Sequence, residues 1–171
     1  MAIREREIRR RCKRLLRRLD IHPPLHIDEL CHRLGEHLGK PIRLMPWALP
    51  IPGPFGLWMS RPNEEVILYQ EETTRVHQDH IILHEVGHII AGHGDDGDGD
   101  LPDIGPDFPS DLTTRGYRRT CYTQDYEHEA ELVATIIQEW AVVLDYVTPR
   151  SRQDPALDSL HSALTPRWGW R

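Results

Sequence analysis

The chain has 171 residues, 39% of them apolar and 28% charged, and a net charge of -6. That suffices for one domain with one sizeable core and falls short of a multi-domain machine. The longest apolar-looking stretch, 44–59, is interrupted by Pro46, Pro50, Pro52 and Pro54, which excludes a membrane span there.

The charge is unevenly divided. Residues 1–18 carry nine basic and two acidic side chains, and the remainder carries twelve basic against twenty-five acidic. Within that first stretch Ile8, Cys12, Leu15, Leu16 and Leu19 recur at helical spacing, which predicts a basic amphipathic helix over residues 1–20 with arginines on its solvated face. A basic arm can contact nucleic acid or an acidic partner, but a body this acidic argues against DNA binding as the main task. The stretch has no apolar core of secretory type, so no signal peptide is expected. Cys12, Cys31 and Cys121 form neither a CxxC nor an even framework, which points to a reducing, cytoplasmic compartment.

Asp20 and Pro23-Pro24 break the first helix. A second helix is predicted over Ile27 to Leu38, stopped by Gly39 and Pro41. The Pro-rich stretch 46–54 reads as an irregular connection. Two strands, 55–60 and 66–69, follow around a turn at Arg61-Pro62-Asn63. A long helix should start at Thr73 or Thr74 and end at Gly92 or Gly94. Residues 94–119, acidic and rich in Gly and Pro, read as a long loop. A further helix is predicted from Gln124 to Tyr146, and Pro149, Pro155 and Pro166 mark a less regular segment over 149–171. The main domain is thus expected over 21–148.

His84-Glu85-Val86-Gly87-His88 is an HExxH pattern on the long helix. Residues four apart on a helix point the same way, so His84 and His88 can bind one metal ion from one rigid face. Glu85, about 100° around from His84, can flank that ion without ligating it, where a general base for an acidified water belongs. Ile82, Val86, Ile89 and Ile90 cluster on the opposite side, so the helix has an apolar back and a histidine front. The alternative is a pair of solvated or core hydrogen-bonded histidines. Gly87 costs the helix about 1 kcal/mol relative to Ala, which suggests that something packs closely there. Six residues after His88 stands Gly94, so a third histidine at metzincin spacing is missing. His77, His80 and His93 are expected to line a cleft or its rim.

The third ligand must come from Glu127-His128-Glu129-Ala130-Glu131. Leu132, Val133, Ile136, Trp140, Val143 and Leu144 lie within about 60° of Glu129 on an ideal helix. Glu129 therefore falls in the buried stripe, and Glu127 and Glu131 fall on the solvent side. A carboxylate on an apolar face is costly unless paired or bound to a cation. The alternative is a Glu that reaches water or the helix N-terminus. His84, His88 and Glu129 plus water would give an open three-ligand site of the catalytic zinc kind, with Mn or Fe accepted by similar donors.

These residues resemble the ImmA/IrrE family of gluzincin-type metallopeptidases, from about Leu25 to Tyr146. The likeness rests on His26-Ile27-Asp28-Glu29-Leu30, Gly56-Leu57-Trp58, Val66-Ile67-Leu68-Tyr69, the HEVGH pattern and Glu129-Ala130-Glu131-Leu132-Val133-Ala134. Glu131 departs from the family's usual Asn or Asp, Val133 from Phe, and His77 and His80 from an Arg and a Phe. The resemblance implies an α+β, zincin-like fold: a small antiparallel sheet on a helical bundle, with one HExxH helix and one Glu-bearing helix. It also assigns the third ligand to Glu129. The implied activity is zinc-dependent cleavage of a protein, a helix-turn-helix transcriptional repressor or an antitoxin-like partner. In that reaction Glu85 serves as general base, with the substrate extended along Val66–Tyr69 by strand addition. Tyr122, Tyr126, His128 and His161 are the candidates for stabilising the oxyanion. The rival readings are a metal-ordered binding module without catalysis and a DNA-binding regulator acting through residues 1–20.

Overall fold

A computed structural model describes residues 2–93, 104, 108–109 and 123–147. Most of the acidic loop expected over 94–119, and the segment 149–171, lie outside the described residues, as do Cys121, Tyr122 and His161. The described architecture is α+β. Helices α1 (Ala2–Arg18) and α2 (Ile27–Leu38) precede strands β1 (Ile42–Trp47), β2 (Gly56–Ser60) and β3 (Glu65–Gln70), and helices α3 (Arg75–Ala91) and α4 (Gln124–Val147) follow. Among the described residues no helix is long and apolar enough to cross a membrane.

Each helix forms where local chemistry permits. In α1 Ile8, Cys12 and Leu16 are buried while Arg6, Arg10, Arg11 and Arg14 stay exposed, as the spacing of its apolar residues requires. The α2 helix ends at Gly39, whose φ of 73° is cheap only for glycine. For α3, the Thr74 hydroxyl accepts from the His77 backbone N–H at 3.3 Å, satisfying one of the orphan donors of the first turn. Gly92, with φ 75°, closes it at the other end.

The sheet differs from the antiparallel pair expected. It has three strands in the order β1-β3-β2, with β1 parallel and β2 antiparallel to the central β3. The unexpected member is β1, which contains Pro46. Proline cannot donate to a ladder and so reads as a strand breaker, but an edge strand tolerates it. Because β3 lies in the centre, both its sides are paired, and the expected strand addition along Val66–Tyr69 has no free edge to use. Among the described residues the unpaired edges are those of β1 and β2.

The sheet is covered on both faces. Trp58 and Ile67 join Leu16, Leu30, Leu34, Ile82, Val86, Val133 and Ile137 in the core shared by the helices. Leu57, Met59, Val66 and Leu68 face the other way, under Leu49, Ile104 and Phe108. This explains why Val66-Ile67-Leu68 runs apolar without alternation. Burying each such side chain contributes about 1.5–3 kcal/mol, and the first cluster, which contains Ile82, Leu83, Val86 and Ile89, holds α3 over the sheet.

Helix α4 packs against both α3 and α1. The closest approach is at Gly87, where a Cβ would lie 2.5 Å from the Ala130 carbonyl oxygen. The mid-helix glycine therefore answers to a backbone crossing at Ala130.

Candidate metal centre

His84 and His88 occupy successive turns of α3, and α4 crosses directly opposite at Ala130. Their Nε2 atoms stand 3.1 Å apart. One Glu127 carboxylate oxygen lies 3.1 Å from the His84 Nε2 and the other 3.8 Å from the His88 Nε2. One ligand atom from each of these three residues falls within 4.8 Å of the others, so the group can hold a metal ion. The fit is chemical as well as spatial. Two nitrogens bound tetrahedrally at about 2.05 Å stand about 3.3 Å apart, close to the separation of the two imidazole nitrogens.

The three-residue group contains Glu127, where the sequence reading had Glu129. Helix α4 has two neighbours, and a single apolar stripe does not describe it. Ala130 and Ala134 face α3, and Glu127 shares that side one turn earlier. Val133, Ile136 and Trp140 turn toward the first half of the chain, where Trp140 donates to the Ile21 carbonyl at 3.2 Å and lies under Arg17. Glu129 belongs to this second side. It accepts from Arg4 at 2.9 Å, and its carboxylate lies 3.8 Å from the His93 Nε2. Glu131 is exposed, as expected of the solvent side, and Glu127 is about half exposed, but both also face the histidines of α3. Glu131 reaches back to the His84 Nδ1 at 3.4 Å and the His80 Nε2 at 3.6 Å.

The two histidines are held differently. His84 is part-buried, whereas His88 is fully buried. Burial, and then the neighbouring His84 and His93 rings, push the His88 imidazole down to about 3. At neutral pH it is therefore uncharged, the form in which an imidazole can bind a metal ion. Its other nitrogen, Nδ1, lies 2.9 Å from the Nδ1 of His93. His93 is itself buried, its ring stacked on Tyr126 at 4.3 Å, and burial holds its basicity below the ordinary imidazole value. The sequence offered His93 as a residue lining a cleft or its rim. The signal for its role is its place just past Gly92, where the reversed chain turns it back onto α3.

Glu85 is buried, with its carboxylate against Gly56 at the start of β2. A Cβ on Gly56 would meet the Glu85 Oε1 at 2.7 Å and the Ile81 Cγ2 at 2.6 Å. The carboxylate thus lies beside β2, an outer strand of the described sheet. Of the candidates for oxyanion stabilisation, Tyr126 packs on His93 and His128 is exposed. His77 accepts or donates to the Thr73 hydroxyl at 2.9 Å, and His80 meets the Gln138 amide at 3.3 Å.

Comparison with protein-family models, with curated proteins and with solved structures gave no match to this chain.

Proposed function

We propose that the chain is a metal-dependent peptidase of the ImmA/IrrE, zincin-like kind, which hydrolyses a peptide bond in a helix-turn-helix repressor or antitoxin-like partner. The observation that carries the reading is the convergence of the His84 Nε2, the His88 Nε2 and the Glu127 carboxylate, with Glu85 next in sequence on the same helix. Two imidazoles and one carboxylate favour zinc, and the same donors accept manganese or iron.

His84 and His88 would hold the ion through Nε2 and Glu127 through its carboxylate. Such an ion supplies Lewis-acid polarisation of a carbonyl and acidifies water. Glu85 takes the proton of the attacking water as the new C–O bond forms, and delivers it to the amine as the C–N bond breaks. The substrate backbone adds to the free edge of β2, which brings it past Gly56 and so past Glu85.

The test is elemental analysis of the purified protein followed by incubation with a candidate repressor, comparing wild type with Glu85→Gln. A single cut made by the wild type and lost in a variant that keeps its metal supports the reading. Equal cleavage by both proteins would overturn it. Retained metal, partner binding and no cleavage by either would leave the metal-ordered binding module. The exposed Arg6, Arg10, Arg11 and Arg14 favour a second reading, contact with a polyanion through α1, which predicts salt-sensitive binding to duplex DNA.

A further inference from the structure

We infer that Glu129 is a positioning residue for His88, acting through His93, so that α1 and α4 jointly orient one of the two imidazoles of the metal centre. The inference rests on the metal-binding reading of His84, His88 and Glu127.

The geometry forms a row: His88 Nδ1 to His93 Nδ1 at 2.9 Å, His93 Nε2 to the Glu129 carboxylate at 3.8 Å, and that carboxylate to Arg4 at 2.9 Å. One proton arrangement satisfies it. A His88 that offers its Nε2 lone pair to an ion must carry its proton on Nδ1. That N–H then donates to the His93 Nδ1, which must be bare, so His93 carries its own proton on Nε2. The Nε2 proton faces Glu129. The acidic end of the row thus selects the tautomer of His93, and His93 selects that of His88. The Glu129 contact is longer than a hydrogen bond, so its influence is that of a nearby charge, little screened by water because His93 is buried and partly offset by Arg4.

The parts of the row are fixed independently. His93 is clamped by the Tyr126 ring, and Arg4 holds the carboxylate on the α1 side. Arg4 itself is exposed, so its pairing contributes little to stability. Its effect is on where the Glu129 carboxylate points. The other imidazole, His84, has Glu131 beside its Nδ1, so both metal-facing rings have a carboxylate behind them, one direct and one relayed. Outer partners of this kind typically account for 10–100-fold in metal affinity.

The experiment is a double-mutant cycle on the full chain, reading Zn²⁺ affinity by chelator competition, with thermal unfolding of each metal-free protein as a control. Glu129→Gln should weaken Zn²⁺ about tenfold and His93→Ala up to about 100-fold. In the His93→Ala background Glu129→Gln should add almost nothing, because its route to the metal is gone. His93→Phe, which keeps a ring against Tyr126 but neither donates nor accepts, serves if the alanine variant does not fold. In the metal-free wild type, ¹⁵N NMR should find the proton on Nδ1 of His88 and on Nε2 of His93. Full additivity would overturn the inference, because the effect of Glu129 would then not pass through His93. Unchanged affinity in both single variants would overturn the relay while leaving the metal centre standing. A wild-type chain that takes up no Zn²⁺ would bring down the metal reading, and this inference with it.

Discussion

The backbone of Gly87 lies so close to that of Ala130 that a single added methyl group would come within 2.5 Å of the Ala130 carbonyl oxygen. This contact sets the distance between the helix that carries both histidines and the helix that carries Glu127. Glycine here has no positive-φ role; what it supplies is the absence of a side chain. Gly87→Ala should gain about 1 kcal/mol of helix propensity and lose more to overpacking, about 1–3 kcal/mol. The expected net result is a lower Tm together with weaker Zn²⁺ binding, since the clash lies between the ligands' own helices. Calorimetry and chelator competition check both. A Tm rise with unchanged affinity would contradict the crossing.

Glu127→Gln should reduce Zn²⁺ affinity by more than the 10–100-fold that outer partners contribute. An amide keeps the shape but removes the charge that makes a carboxylate a ligand. Glu127 is about half exposed, so the same change should move Tm of the metal-free protein by less than about 0.5 kcal/mol-equivalent. Titration of Zn²⁺ into the metal-free variant measures it. An affinity equal to that of the wild type would remove Glu127 from the ligand set.

Much of this organisation was legible in the residues themselves. The α2 and α3 boundaries follow from Gly39, Thr74 and Gly92, whose side chains or lack of one decide the backbone locally. The apolar back of α3 and the close packing at Gly87 were likewise readable, because helical spacing converts directly into a face. Strand β1 was hidden by Pro46, since nothing in the neighbouring residues says that the strand will lie at an edge. The partition of Glu127 from Glu129 was hidden for a different reason. Periodicity gives the width of a buried stripe but not the identity of the helix it meets, and α4 meets two. The contact of His93 with His88 depends on the turn after Gly92, a tertiary fact that no spacing rule contains.

Gly56→Ala separates the position of Glu85 from the stability of the fold. The added Cβ would meet the end of the Glu85 side chain at 2.7 Å and the Ile81 methyl at 2.6 Å. The Glu85 carboxylate can swing aside, but the Ile81 methyl is held on a stiff β-branched Cβ, so the fold should lose about 1–3 kcal/mol. The Glu85 carboxylate, however, must leave its place beside β2. A displacement of about 1 Å can cost on the order of 100-fold in rate. The proposed peptidase activity should therefore fall more than Tm, with Zn²⁺ binding retained. Equal kcat/KM in variant and wild type would show that Glu85 does not act from this position.

Cys12 and Cys31 report on the core shared by α1 and α2 and give a pH prediction independent of the metal. Both thiols are buried, and burial pushes each up to about 12. In the unfolded chain a thiol ionises near pH 8.5. Above that pH the unfolded state sheds protons that the folded state retains, so stability is full below it and falls as pH rises toward 12. In a Cys121→Ser background, where these are the remaining thiols, native protein at pH 8 should react with a thiol reagent orders of magnitude more slowly than unfolded protein. The wild type should also lose Tm between pH 8.5 and 11 more steeply than a Cys12→Ala, Cys31→Ala double variant, because lysines and tyrosines titrate alike in both. Parallel alkaline limbs in the two proteins would mean that the thiols ionise as readily folded as unfolded, and that the core around Cys12 and Cys31 is open to water.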